Sequence, residues 1–149
     1  MAGTALYFLH VIVTGAFLAE AAATVDNKLN VSGGVLARYG VGPDRRVGVA
    51  LVVLIRAEPD ADGDGDGEAD ASDRWVDVEI KPPTQGDPLR TRFEVPQASI
   101  GAFPGYAFFD IQAMLPDDGR WAIEVTGGGE TISLPLVVTS VPPRASLGL

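Results

Sequence analysis

The chain contains no cysteine among its 149 residues. This absence excludes disulfide bonds, thiolate metal sites and cysteine nucleophiles, and small secreted domains more often carry disulfides. Histidine is almost absent too, because His10 is the only one. Zinc sites built from several histidines are therefore excluded, and we expect His10 to be a structural residue of a strand rather than a catalytic base.

Basic residues are scarce, with 11 Lys and Arg against 20 Asp and Glu. The net charge of −9 is concentrated, since seven acidic residues lie between Asp60 and Asp73 and no basic residue lies among them. Elsewhere 13 acidic side chains face 11 basic ones. No basic stripe is available to neutralise a phosphate backbone, so binding to nucleic acid is not expected.

Long hydrophobic runs are also missing. The apolar run from Leu6 to Leu18 is too short to span a bilayer as a helix, so no transmembrane segment is predicted. Small residues follow it, as at a signal-peptide cleavage site, but no Lys or Arg precedes it. We interpret the run as a buried first strand; the alternative is a secreted protein in which residues 1–23 act as a leader.

What the sequence does have is alternation of apolar and polar side chains with a period of two. This pattern predicts antiparallel strands with one buried face, and it recurs in Arg74–Ile80, Leu89–Val95, Trp121–Thr126 and Thr131–Val138. Pro135 cannot donate to a ladder, so we expect its strand to be an edge or to be bulged there. Two further segments, Leu6–Val13 and Val47–Ile55, are apolar on both faces and suit central strands covered on both sides, with a short buried helix as the alternative. Tyr106–Leu115 is intermediate. Ala21–Val25 has some helix propensity but is short.

Turn signals rich in Gly, Pro, Asn and Asp separate these segments, and Asp118-Gly119 and Gly127–Gly129 supply the positive φ that hairpins need. The prediction is an all-β, antiparallel two-sheet sandwich, immunoglobulin-like or jelly-roll-like, with about eight to ten strands. It forms one domain over residues 1–140, with a flexible acidic loop at 58–73 and a C-terminal tail at 141–149.

The acidic run could be a calcium site. Read as a twelve-residue loop from Asp62, the run has Asp at positions one, three, five, nine and twelve and Gly67 at the turn position. The candidate ligands are Asp62, Asp64, Asp66, Glu68, Asp70 and Asp73. However, the last position lacks the usual Glu, and both flanks read as strands rather than helices. We therefore interpret the run as a solvated linker and expect no cofactor, with calcium as the alternative.

Catalytic motifs are not apparent. Ser32 does not lie in a G-x-S-x-G elbow, and the glycines do not form a phosphate-binding loop. Two carboxylate pairs, Asp77 with Glu79 and Asp117 with Asp118, could act as acid and base, but they are placed on a polar strand face and in a turn. Enzyme activity is therefore not expected, although a hydrolase that uses carboxylates alone is an alternative.

Two stretches resemble a widespread bacterial family of small uncharacterised domains. FLAEAAATVDNKLNVSGG (17–34) is similar to the family's apolar strand, acidic residue and hairpin, although Glu20 and Asn27 depart from its usual Asp and Gly. LPDDGRWAIEVTGGGETISLPLVV (115–138) is similar to its closing hairpin. The resemblance implies a cytoplasmic β-sandwich and supplies no activity, ligand or catalytic residue.

The leading functional hypothesis is a non-catalytic structural or interaction module that binds a protein partner or its own copy through a sheet face or edge. The apolar excess in VGVALVVLI (47–55) and YAFFDIQAML (106–115) would leave a patch for a partner wherever it is not covered internally. The alternatives are a calcium-dependent extracellular β module and the carboxylate hydrolase.

Overall fold

A computed structural model describes residues 9–59, 74–100 and 105–141. In these residues the protein is all-β, with ten strands, one short 3-10 turn at Gln97–Ser99 and no α-helix, as the alternation predicted. None of this described part forms a helix long and apolar enough to cross a membrane. The strands are β1 Leu9–Ala19, β2 Ala21–Val25, β3 Lys28–Ser32, β4 Arg38–Val41, β5 Arg46–Pro59, β6 Trp75–Lys81, β7 Leu89–Glu94, β8 Gly105–Met114, β9 Gly119–Gly127 and β10 Glu130–Ser140.

The strands form three sheets, so the predicted count of two sheets is wrong. The antiparallel prediction also fails for one pair, because β4 and β10 pair in parallel. One sheet has the order β1-β5-β8, a second has β4-β10-β9-β6-β7, and β2 pairs only with β3; one of the sheets is curled into a half-barrel. The third sheet exists because Asp26 and Asn27 adopt φ of 53° and 61°, which closes a two-residue hairpin. β2 is therefore a strand at the place where a helix was considered.

The alternating segments face the core with their apolar side chains, except that Leu89 at the start of β7 is exposed. In β6, Val76, Val78 and Ile80 are buried while Asp77 is exposed. The central strand β5 pairs with β1 on one side and β8 on the other. Consecutive residues Leu51 and Val52, on opposite faces of β5, are each 0% exposed. This burial explains why the sequence of β5 is apolar on both faces.

A β-bulge in β1 reverses which residues face the core. Val13 is opposite Ile55 and Gly15 is opposite Leu54, so Thr14 is the extra residue. Its hydroxyl donates to the Leu54 carbonyl at 3.2 Å. An inserted residue shifts the side-chain alternation by one position. Val11 and Val13 are therefore buried before the bulge and Leu18 is buried after it.

The two larger sheets share one hydrophobic core, with buried side chains from β1, β5 and β8 and from β4, β6, β9 and β10. Near one margin of this core the rings of Phe93 on β7 and Phe109 on β8 stack at 4.6 Å between centroids. At this distance the ring pair adds attraction beyond its burial. It joins the two sheets between their outermost strands on that side.

The glycine turn joins β9 to β10 as predicted, with Gly128 and Gly129 at φ of 65° and 84°. The prediction for Asp118-Gly119 is wrong, because this dipeptide connects β8 in one sheet to β9 in the other rather than closing a hairpin. Pro135 lies in β10 before the part that pairs with β4, which begins at Val137. Its missing N–H therefore falls on an edge, as the sequence indicated.

Candidate binding site

An open groove runs between the margins of the two larger sheets, where β7 ends one sheet and β8 ends the other. Its volume is about 550 Å³. The apolar lining residues are Ile80, Leu89, Phe93, Ile111, Ala113 and Met114, and the polar ones are Arg90, Thr91, Asp110 and Gln112. Leu89 and Met114 are 42% and 61% exposed. The groove therefore presents apolar surface to solvent beside two sheet edges.

The backbone of β8 presents unpaired polar groups along this groove. The Leu115 amide donates to the carbonyl of Arg45, the residue directly opposite it. Bonded and non-bonded pairs alternate along an antiparallel ladder. Odd-numbered residues of β8 therefore bond to β5, and the N–H and C=O groups of Phe108, Asp110, Gln112 and Met114 point away from it. No described strand pairs with that side of β8.

Two other contacts give the corresponding alternation in β5 and in β7. The amide of Gly48 in β5 lies beyond the last residue of β5 that pairs with β1. It donates instead to the Tyr39 hydroxyl at 3.3 Å, as expected if even-numbered residues of β5 point towards β1. Likewise, the Val95 amide donates to the Arg74 carbonyl, which places the outward backbone groups of β7 at Arg90, Arg92 and Glu94.

The other outer strands of the two larger sheets carry the devices that natural proteins use against strand addition, namely shortness, charge and bulges. β4 has 4 residues, β7 has 6 residues with charged side chains at its outward positions, and β1 is bulged at Thr14. β8 has 10 residues, pairs with β5 without interruption and carries one charged residue, Asp110. Among the outer strands of the two larger sheets, as far as the structure describes them, β8 is thus the least protected edge.

A polar cluster closes one end of the molecule. Arg45, in the turn before β5, donates from Nε to the Leu115 carbonyl at 3.0 Å and from Nη1 to Ser140 Oγ at 2.8 Å. Nη1 also lies 2.8 Å from Asp118 Oδ1. Ser140 donates to Asp118 from both its hydroxyl and its amide. The cluster joins the end of β8, the start of β9 and the end of β10, so we assign it a structural role.

Asp118 makes the stability of the protein depend on pH. Hydrogen bonds from the Ser140 hydroxyl, and then from Arg45, hold the pKa of Asp118 below its ordinary value of 3.8 because both favour the carboxylate. A lowered pKa in the folded state stabilises the protein above the unfolded pKa, and the contribution is lost as the pH falls through the folded pKa. The relevant window therefore lies below 3.8.

We expect Asp118→Asn to lower the free energy of unfolding at neutral pH and to lower it progressively less as the pH falls below 3.8. Urea unfolding of both proteins over a series of pH values measures this difference. Asp117→Asn is the matched control, since Asp117 is exposed and has no ion pair within the described residues. A difference that stays constant through acid pH would contradict the assignment.

The predicted carboxylate pairs are placed among basic side chains. On the outer face of the five-stranded sheet, Asp77 bonds to Arg92 at 2.8 Å and Glu79 to Arg90 at 3.0 Å. Lys81 adds contacts to Glu79 and Glu124. The depression beside Asp77 and Glu79 is small, about 200 Å³. Asp77 and Glu79 are therefore part of a salt-bridged surface. In the second predicted pair, Asp117 and Asp118, only Asp118 takes part in the Arg45 cluster.

The remaining sequence-predicted residues lie apart from the groove. The calcium candidates Asp62 to Asp73 fall outside the described residues, so that hypothesis stays a prediction. In ranges 9–59, 74–100 and 105–141, no three His, Cys, Asp or Glu side chains are grouped to hold a metal. His10 is half-buried on β1 opposite Glu58, and Ser32 is exposed at the end of β3. Trp121 is buried and donates to the Asp117 carbonyl at 2.9 Å.

Sequence reasoning missed the groove residues as a set, although it singled out the stretch that contains β8. The signal that was present is the single charge within Gly105–Met114. Comparison with known proteins adds no assignment to this geometry: no protein-family model, no curated protein and no solved structure matches the chain.

Proposed function

We propose that this protein is a non-catalytic interaction module that binds an extended polypeptide segment as an additional strand on β8. In this proposal the two larger sheets are the halves of a sandwich that is open along the groove. The observation that carries the proposal is the long, nearly uncharged and unpaired edge of β8 beside that groove. Free backbone groups supply affinity in this mode of binding, and pockets for alternate side chains supply specificity.

The shape of the groove supports an extended occupant. A strand paired with β8 would direct every second side chain inwards, over Ile80, Leu89 and Phe93 of the opposite sheet. These three side chains are apolar, so the occupant should have apolar residues at alternate positions. Such a guest removes exposed apolar surface from water as well as pairing the edge, and both terms favour binding.

Gln112→Pro tests strand addition with little risk to the fold. The backbone N–H of Gln112 points away from β5 in the ladder described above, so proline removes a donor that only an added strand would use. Edge strands tolerate proline at such positions. Selection from a displayed library of random linear peptides should enrich sequences with alternating apolar residues on the wild-type protein. Binding of the selected peptides to the Gln112→Pro protein should be lost.

Gln112→Ala, which removes the side chain but keeps the backbone N–H, is the matched control and should bind the selected peptides. Circular dichroism establishes that both variants remain folded. If peptides selected on the wild type bind Gln112→Pro equally well, or if no sequence is enriched on protein that is monomeric under the conditions of selection, the proposed function is wrong.

Membership of the bacterial family that residues 17–34 and 115–138 resemble is part of the same proposal. It is supported by the hairpins β2–β3 and β9–β10, which lie where the resemblance expects hairpins. A structure of an undisputed member with a different strand order would contradict it.

A further inference from the structure

Resting on the proposed function, we propose that the occupant of the β8 edge is β8 of a second copy of this chain. The two strands would run antiparallel about a two-fold axis through Ile111, with Asp110 of each copy opposite Gln112 of the other. A two-fold interface uses the same surface on both copies, so the edge must be complementary to itself. The sequence of β8 satisfies this requirement in one register.

The alternation of inward and outward backbone groups along β8 limits the registers in which two copies can pair. The outward backbone groups belong to even-numbered residues, so only registers that place even residues opposite even residues form a regular ladder. With Ile111 on the axis, Phe108 lies opposite Met114 and Asp110 lies opposite Gln112. Tyr106 would lie opposite Pro116, which has no N–H. The ladder therefore ends at Met114, where β8 itself ends.

Side-chain complementarity favours this register over its neighbours. On the core-facing side, Phe109 lies opposite Ala113, so a large residue meets a small one within the ladder. A shift by two residues places Asp110 opposite either its own copy or Met114. The first juxtaposes like charges, which destabilises a cross-strand pair, and the second sets a carboxylate against an apolar side chain.

Exposure also indicates that this part of β8 is accessible. Asp110, Gln112 and Met114 are all exposed, and all three line the groove. The 3-10 turn at Gln97–Ser99 contacts β8 but donates no backbone hydrogen bond to it within the described residues. A second β8 would cover the apolar groove lining and pair the backbone groups on the outer side of the strand.

Opposite charge changes at Gln112 distinguish the register that places Asp110 opposite Gln112 from other registers. Gln112→Lys would place a cation opposite each Asp110, and Gln112→Glu would place an anion there. Since cross-strand charge pairs contribute roughly 0.2–1 kcal/mol each and the two-fold axis creates two, the dissociation constant should change about two- to thirtyfold. It should fall for Gln112→Lys and rise for Gln112→Glu, as measured by sedimentation equilibrium.

The effect of net charge is controlled at a glutamine that does not line the groove. Gln85→Lys and Gln85→Glu make the same charge changes at an exposed residue outside the groove and should alter association far less. If Gln112→Lys and Gln112→Glu shift the dissociation constant in the same direction, or no more than the Gln85 variants do, the register is wrong.

The absence of cysteine allows a direct test of the pairing. Opposed residues of a bonded antiparallel pair have Cα atoms about 5.5 Å apart, within the reach of a disulfide. A mixture of the Phe108→Cys and Met114→Cys proteins should therefore form a disulfide-linked dimer under mild oxidation. Each variant alone should not, because neither residue lies opposite its own copy. Linkage within either variant alone, or none in the mixture, contradicts the register.

The two proposals fail separately. If the wild-type protein is monomeric at about 1 mM, where even a millimolar dissociation constant would be visible, self-pairing is wrong. Selected peptides that still bind in a manner blocked by Gln112→Pro would then leave strand addition standing with a different partner. Loss of both results would overturn the proposed function as well.

Discussion

Replacing Leu51 by Ala is expected to lower the free energy of unfolding by about 2–5 kcal/mol. Leu51 lies at the middle of β5, the central strand of the three-stranded sheet, and is 0% exposed. Its neighbours in the core come from both larger sheets. Truncation therefore loses the transfer free energy of the side chain and leaves a cavity that close-packed neighbours fill only in part.

Leu54→Ala is the matched control on the same strand. Leu54 points to the opposite face, next to Gly15, and is 38% exposed. Because less apolar area is removed from water there, the same truncation should cost about 1 kcal/mol or less. Urea unfolding gives both values, provided that the slope is unchanged between variants. Equal losses would mean that the faces of β5 are assigned wrongly.

The strands with one solvent-exposed face could be predicted from the sequence, because their apolar residues alternate with polar residues in the same order as buried positions alternate with exposed ones. The segment predicted around Val76, Val78 and Ile80 is β6, and the segment around Trp121, Ile123 and Val125 lies within β9. The strand β5 could be predicted from its apolar run. A strand that is paired on both edges and buried on both faces carries apolar residues at consecutive positions.

The remaining features depend on contacts between distant residues. The bulge at Thr14 was not predicted, because apolar side chains lie both before and after it, and Gly15 beside it is the one local signal. Asp118-Gly119 has the composition of a hairpin turn but connects two sheets, and its conformation is fixed by Arg45 and Ser140 from elsewhere in the chain. Local propensity cannot report such partners, nor can it give the number of sheets.

The groove could be predicted only in part. A sheet edge or face in 47–55 or 106–115 was expected to bind a partner, and the second stretch does contain the free edge of β8. Leu89 and Phe93, which complete the groove, read in the sequence as ordinary core residues of an alternating strand. Their position opposite β8 follows from how the two sheets pack. The sequences of β7 and β8 alone do not determine which strands become neighbours.

The turn between β9 and β10 supplies the second large prediction. A side-chain carbon on Gly128 would lie 2.6 Å from the Val11 carbonyl oxygen and 2.7 Å from Ile12 Cγ1. A carbon on Gly129, also at positive φ, would meet nothing within 4 Å. Left-handed backbone costs a residue with a side chain roughly 1–2 kcal/mol, and overpacking adds typically 1–3 kcal/mol.

Gly128→Ala is therefore expected to lower the free energy of unfolding by about 2–5 kcal/mol, against about 1–2 kcal/mol for Gly129→Ala. The midpoints of urea unfolding at a common slope measure both losses. Since both glycines have positive φ in the same turn, the backbone term largely cancels in the comparison and the difference reports the contact with β1. Equal losses would mean that the hairpin of the five-stranded sheet does not rest on β1, and the shared core would then need a different arrangement of the two sheets.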